Sequence, residues 1–278
     1  MSVLLETRGL VKRFGAVTAA DSLDVRIAEG EVVALIGGNG AGKTTFLNMV
    51  TGYLKPDRGT VHYAGRDITA LSERRITQLG ICRSFQIPQL FDSLSVRENV
   101  LVGLGIVAIG GKGWASAAGV DPARVDEAAD EALERYRLAE YGSRRAGVLP
   151  EGVRKLLDIA IAMTARPRIL LLDEPTSGVS ADEKFAIMDT VMQAVGALRP
   201  TILFVEHDMD IVRRYTKRIL AFYEGRVIAD GDPASVLANE EVRRYVIGTA
   251  PTQATPAVPT QSATGEDDAA RGPGNAAH

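Results

Sequence analysis

Residues 37–45 read Gly-Gly-Asn-Gly-Ala-Gly-Lys-Thr-Thr. This G-x-x-x-x-G-K-[ST] spacing limits the chain to folds that carry a tight glycine loop between a strand and a helix. The flanks supply both: Glu31–Ile36 is an apolar run suited to a buried strand, and the residues from Lys43 through Val50 continue as a helix. Such a loop wraps a triphosphate with inward-pointing backbone N–H groups, and Gly37, Gly40 and Gly42 allow the close approach. Gly38, Asn39 and Ala41 complete the loop, and Thr45 follows it into the helix. Lys43 supplies a point charge for the β/γ oxygens, Thr44 a hydroxyl for a bound Mg²⁺, and the helix turns its positive end toward the anion. The chemistry expected here is nucleotide binding with ATP and Mg²⁺.

A second apolar run, Ile169-Leu170-Leu171-Leu172, lies between Pro167 and Pro175 and ends in Asp173-Glu174. Paired carboxylates at the carboxyl edge of a buried strand sit where open α/β sheets bind ligands. Consecutive strand residues face opposite ways, so the two acids can hold different roles. Asp173 is expected at the metal, directly or through water, and Glu174 is expected to orient and deprotonate an attacking water. Gln86 follows the expected strand Ile81–Phe85, and His207 follows Ile202–Val205. A glutamine there can reach the metal or the water, and an imidazole can bond the terminal phosphate. His62 and His278 have no such company and are read as structural.

Strands are expected at Leu4–Leu10, Ala20–Ile27, Thr60–Tyr63, Thr201–Val205, Ile219–Tyr223 and Arg226–Ala229, with a helix at Glu183–Leu198. Residues 88–163 read as helical, with helices at Asp126–Leu138 and Val153–Ala165 and a loose Gly/Ala-rich insertion at Gly103–Gly119. The economical description is a helical lobe inserted into a nucleotide-binding α/β core, about 1–87 and 164–248. Residues 249–278 lack Leu, Ile and aromatic residues and are expected to be a disordered tail. Lys plus Arg number 32 against 35 acidic residues, so no basic excess points to nucleic acid. The single cysteine, Cys82, excludes an intramolecular disulfide and reads as a small buried hydrophobe in a reducing compartment. Met1–Arg13 is too charged for a signal peptide, and no apolar run reaches the ~20 residues of a membrane helix. Membrane association would therefore pass through another protein.

Taken in order, these motifs resemble the ATP-binding subunit of an ABC transporter over about residues 4–248. The resemblance implies a P-loop NTPase (RecA-like) α/β core with an antiparallel β subdomain and an inserted α-helical subdomain. It implies that Phe14 stacks on adenine, that Gln86 is the Q-loop residue and that Asp173-Glu174 end the Walker B strand. It makes Ser177–Ser180 the D-loop region and His207 the H-loop residue. Leu149-Pro150-Glu151-Gly152-Val153 occupies the place of the family's Leu-Ser-Gly-Gly-Gln signature, which closes over the ATP of the opposite subunit. Only Leu149 and Gly152 agree with it. Pro150 lacks the serine hydroxyl and a backbone N–H, and Glu151 adds negative charge. Two outcomes are open: an asymmetric pair in which the site served by this signature is the weaker, or a signature that works through backbone contacts alone. Ser180 also stands where many members carry aspartate.

Within the family, Gly80–Phe91 (GICRSFQIPQLF), the insertion after Val100 and the ending Arg243–Gly248 resemble branched-chain amino acid importers. That subgroup also serves urea, short amides and small carboxylates. The likeness implies a homologous ATPase partner (a heterodimer favoured over a homodimer), two membrane-spanning permease subunits and an extracytoplasmic solute-binding protein. It implies a peripheral place on the cytoplasmic face of the plasma membrane. Ile87, Pro88, Leu90 and Phe91, next to Gln86, are candidates for coupling to a permease helix, with core packing as the alternative. The rival classes are a soluble ABC ATPase of repair or translation, and a non-hydrolysing nucleotide sensor.

Overall fold

The strand ends that carry the polar motifs come together because five strands run parallel in one sheet. The computed structural model describes residues 2–109, 121–196 and 198–248. Its six-stranded sheet has the order β10-β9-β3-β8-β7-β6. These are β3 (Val32–Ile36), β6 (Ile81–Ser84), β7 (Ile169–Asp173), β8 (Thr201–Val205), β9 (Arg218–Tyr223) and β10 (Arg226–Gly231), of which only β10 is antiparallel to its neighbour. A four-stranded antiparallel sheet, β2-β1-β4-β5, joins β1 (Val3–Phe14), β2 (Val17–Ala28), β4 (Arg58–Tyr63) and β5 (Arg66–Asp67).

The parallel strands are apolar without interruption because both faces of the sheet are covered. Side-chain alternation sorts them into two cores. Val33, Leu35, Leu171, Leu203, Val205 and Phe222 face α1 (Lys43–Val50) and the antiparallel sheet. Ala34, Ile36, Leu170, Leu172, Ile202 and Phe204 face the opposite layer of helices. That layer contains α3 (Val96–Ile109), α4 (Pro122–Arg135), α5 (Glu151–Thr164), α6 (Ala181–Gly196) and α7 (Met209–Tyr215). Two short helices, α2 (Glu73–Gln78) and α8 (Pro233–Ala238), 3-10 turns at Ala139–Tyr141 and Ala146–Val148, and a helical run over 240–247 complete the described elements. Truncating Leu171 to alanine at the centre of such a sheet costs about 2–5 kcal/mol.

Several boundaries differ from the sequence expectations, for local reasons. Part of the insertion expected at Gly103–Gly119 is helix: α3 runs through Gly103, where an added Cβ would stand 3.0 Å from Ile161 Cγ2. That glycine admits close packing against α5 and does not break the helix. Residues 110–120 and the expected tail, 249–278, lie outside the described residues. A Ser95/Glu98 capping box opens α3, with Ser95 N donating to Glu98 Oε2 at 2.7 Å and Glu98 N to Ser95 Oγ at 3.1 Å. Helix α4 starts before the expected Asp126, because Asp121 caps it and Pro122 suits its first turn; it stops at Arg135, and Arg137 turns left-handed at φ 57°. β1 runs past Leu10 to Phe14 by absorbing register shifts around Gly9, which a simple alternation pattern does not carry. His62 lies in the antiparallel sheet, opposite Glu6 and Asp67, away from the parallel strand ends.

Cys82 is buried in β6, and burial pushes its thiol up to about 11. The folded protein should therefore leave Cys82 untouched by an aromatic disulfide reagent at pH 8 and release one thiol equivalent only in denaturant. Stoichiometric reaction in native buffer would contradict this packing.

Candidate functional site

The loop after β3 takes its shape from two glycines that no other residue can replace. Gly37 has φ 154° and Gly42 φ 105°. A Cβ on Gly37 would meet the Phe222 carbonyl oxygen at 2.5 Å, and one on Gly42 would meet that of Ala19 at 2.5 Å. The β2 and β9 backbones thus press directly on the loop, and Gly225 N donates to Ala41 O at 3.0 Å from behind. The rim at Gly38, Asn39 and Gly40 is exposed, as is Thr44, whereas Thr45 is half-buried. Lys43, at the first position of α1, reaches back so that Nζ donates to Gly37 O at 2.6 Å and Gly38 O at 3.0 Å. Burial pushes this ammonium below the usual lysine range, and the Glu174 and Asp173 carboxylates pull it part-way back. The cation sits on the loop it would share with a phosphate. Phe14 ends β1 and is 52% exposed, with Lys12 Nζ 5.8 Å from its ring centroid.

Register decides what stands beside this loop. Ser84 pairs with Leu172, so Gln86 comes level with Glu174; Asp173 pairs with Val205, so His207 follows at the next strand end. Gln86 Nε2 donates to Glu174 Oε2 at 2.9 Å, and His207 Nε2 lies 2.9 Å from Glu174 Oε1. Glu174 itself is left-handed, with φ 50°, and its amide donates to Val205 O at 3.0 Å. One carboxylate is therefore gripped from both neighbouring strands, which orients it for contact with a water or hydroxyl proton. Asp173 points to the α1 face and accepts from Arg83 Nη2 at 2.5 Å, while Arg83 Nη1 donates to Asn48 Oδ1 on α1 at 2.5 Å. Arg83 and Asp173 are buried, and removing one partner of such a pair costs about 3–5 kcal/mol.

The residue types fit a hard divalent cation: the exposed hydroxyl of Thr44, the Asp173 carboxylate and the amide oxygen of Gln86 would hold it. Among the described residues no group of three or more His, Cys, Asp or Glu gathers as a metal cage.

The segment Leu149–Val153 divides between inside and outside. Leu149 is buried in the helical core, Pro150 and Glu151 are exposed, and Gly152 and Val153 are half-buried. Pro150 is the N-cap of α5, with φ −56° and ψ 150°, and an added Cβ on Gly152 would come within 2.9 Å of Ile187 Cδ1. Of the residues after Gln86, Ile87 and Phe91 are exposed, at 74% and 56%, whereas Pro88 is buried and Leu90 packs half-buried against the helical core.

A family model for ABC transporters matches residues 20–177. The chain belongs to the ABC transporter family. It is 34% identical over 251 residues to the high-affinity branched-chain amino acid transport ATP-binding protein BraF of Pseudomonas aeruginosa, covering 89% of this chain and 98% of that one. It is 36% identical over 252 residues to LivG of Salmonella typhimurium and 35% identical to LivG of Escherichia coli, each with 89% and 98% covered. Among solved structures, it superposes on an ATP-binding cassette of an ABC transporter in its ADP conformation with TM-score 0.77 and 32% identity, covering 90% of this chain and all of that one. A nucleotide-free cassette gives TM-score 0.74 at 31% identity, with 87% and 98% covered.

This ABC cassette also uses residues that the sequence reading passed over. Arg83 is one. Glu206 is another, buried and accepting from Thr176 N at 3.1 Å, Thr176 Oγ1 at 2.7 Å and His207 N at 3.1 Å. On α5, Lys155 and Asp158 reach the loops that carry Gln86 and Glu174. The signal available in sequence was a charged residue within the apolar stripe of Val153–Ala165, since buried charges need partners.

Gly42→Ala should lower stability by about 1–3 kcal/mol, roughly 5 °C in Tm, and abolish nucleotide binding. Gly38→Ala, at a position with open space around it, should leave Tm unchanged. Thermal melts with and without ATP read both.

Proposed function

We infer that this chain is the ATP-hydrolysing subunit that energises import of branched-chain or other hydrophobic amino acids through a membrane permease. The observation that carries the reading is the carboxylate of Glu174, held at 2.9 Å by both Gln86 and His207 on the strand ends beside the glycine loop. The names of the relatives supply the solute class. We assign residues 1–248 to one ABC ATPase domain with its helical subdomain at about 88–163.

In this reading the loop amides of 37–45 and the Lys43 ammonium bind the β- and γ-phosphates, and Phe14 offers its exposed ring to the adenine. Mg²⁺, when bound, would neutralise phosphate charge, and Thr44, Asp173 and the amide oxygen of Gln86 would hold it. Glu174 orients the attacking water and accepts its proton at a carboxylate oxygen. His207 steadies that carboxylate and reaches toward the terminal phosphate. Positioning and charge stabilisation carry the catalysis, and no covalent intermediate is required.

No helix among the described residues is long and apolar enough to cross a membrane. On the names of its relatives we place the chain at the cytoplasmic face, working through permease subunits, paired with a homologous ATPase and fed by a solute-binding protein outside. Ile87 and Phe91, exposed beside Gln86, are the surface we assign to the permease. Phe91→Ala should leave ATP affinity unchanged while separating ATP turnover from uptake in proteoliposomes. Pro150 and Glu151, exposed at the start of α5, support an asymmetric ATPase pair.

The reading predicts that Glu174→Gln keeps ATP affinity within about twofold while turnover of the assembled complex falls by at least ~100-fold. The same change in the partner ATPase should reduce turnover less, because that site depends on this chain's altered signature. Equal losses would sink the asymmetry, and an unchanged rate in the first variant would sink the assignment of Glu174.

A further inference from the structure

We propose that Lys155 is a positioning residue for hydrolysis: its buried ammonium ties α5 to the backbone of the two loops that present Gln86 and Glu174. The inference rests on the reading of Glu174 as the water-orienting group. Lys155 is 3% exposed. Its Nζ donates to Glu174 O at 2.8 Å, to Ser177 Oγ at 2.8 Å and to Gln86 O at 3.4 Å. Three acceptors use all three N–H groups of an ammonium. None of them is a carboxylate oxygen, so the charge is directed at main chain and a hydroxyl.

A buried lysine is an expensive way to fill space, and an apolar side chain of similar length would pack there without desolvating a charge. Burial does push the Lys155 ammonium down, while Glu151, Glu206, Glu174 and Asp158 favour its charged form. What the lysine adds is control of two peptide groups. Glu174 has a left-handed backbone, and its carbonyl also accepts from Ser177 N at 3.1 Å, which closes a tight turn. Lys155 holds that turn at its carbonyl and at Ser177. One helical turn further on, Asp158 accepts from Phe85 N at 3.0 Å and Gln89 N at 3.2 Å, bracketing Gln86 on both sides. The contact between Gln86 Nε2 and Glu174 Oε2 thus spans two loops that share one support, α5. The same helix begins with the exposed Pro150-Glu151, so a displacement of its outer end is delivered to this chain's own Glu174.

The test compares Lys155→Met, Lys155→Arg and Ser177→Ala with the parent and with Glu174→Gln. Steady-state ATPase is measured in the assembled transporter, and affinity for a trinitrophenyl-ATP probe and Tm on the full-length chain. Lys155→Met should lower kcat by about tenfold or more, since a misplacement near 1 Å can cost about a hundredfold, with KM, probe affinity and Tm little changed. Lys155→Arg should restore most of the rate. Ser177→Ala should lower kcat about threefold at unchanged KM and add nothing in the Lys155→Met background. A Lys155→Met kcat within twofold of the parent, or a loss matched by weaker probe binding, overturns the proposal. Should Lys155→Met not purify folded, Ser177→Ala decides: a lower kcat at constant KM supports the tie, and an unchanged kcat overturns it. Parental turnover in Glu174→Gln would overturn the reading of Glu174, and the inference with it.

Discussion

The site depends on register in the parallel sheet. Leu172 stands opposite both Ser84 and Phe204, and Asp173 opposite Val205. Because side chains alternate with period two, a slip of one residue in β7 would send Asp173 to the helical layer and move Glu174 out of reach of Gln86 and His207. The apolar run Ile169–Leu172 prevents that slip, since each of its side chains is fully buried in one core or the other. Packing across the sheet is what holds the Glu174 carboxylate within hydrogen-bond distance of Gln86 and His207.

Four carboxylates gather at this edge, and each meets a different set of donors. Asp173 takes a guanidinium, Glu174 an amide and an imidazole, Glu206 a threonine and two main-chain amides, and Asp158 two main-chain amides. Burial raises the Asp158 carboxyl above its ordinary range, while the N–H groups of Phe85 and Gln89 lower it again. A cluster of like charges is tolerated because no two of these acids share their donor set. The same separation gives adjacent residues in the chain, Asp173 and Glu174, different surroundings: one lies on the α1 face against the Arg83 guanidinium, and the other sits past the strand end between the Gln86 amide and the His207 ring.

The glycine loop, both Walker-type strand ends, Gln86 and His207 were legible because each lies within a few residues of a turn that closes an apolar run. The supporting groups were not, because their partners are remote in sequence. Arg83 and Asp173 are 90 residues apart, Asp158 and Phe85 are 73 apart, and Lys155 and Gln86 are 69 apart. Only the sheet order, in which β6 lies beside β7, brings them together. Boundaries slipped where a local device overrode the pattern: the bulges near Gly9, the Asp121-Pro122 start of α4, and Gly103 packed against Ile161. A glycine needed for close contact and a glycine that ends a helix look the same in a sequence.

Helix α5 explains how the segment before it can depart from the family signature without harm to the fold. At an N-cap the backbone N–H lies outside the helix ladder, so Pro150 removes no intrahelical bond, and its φ of −56° suits the position. Glu151 places a negative charge in the first turn, where the helix dipole favours it. Leu149 still anchors the segment in the core, and Gly152 still clears Ile187. Every group lost relative to serine-glycine is therefore a group directed outward, whereas the inward-facing Lys155 and Asp158 keep their full set of acceptors and donors. Substitution at the outer end of α5 changes an exposed surface and leaves the Gln86–Glu174–His207 contacts, which it does not touch, in place.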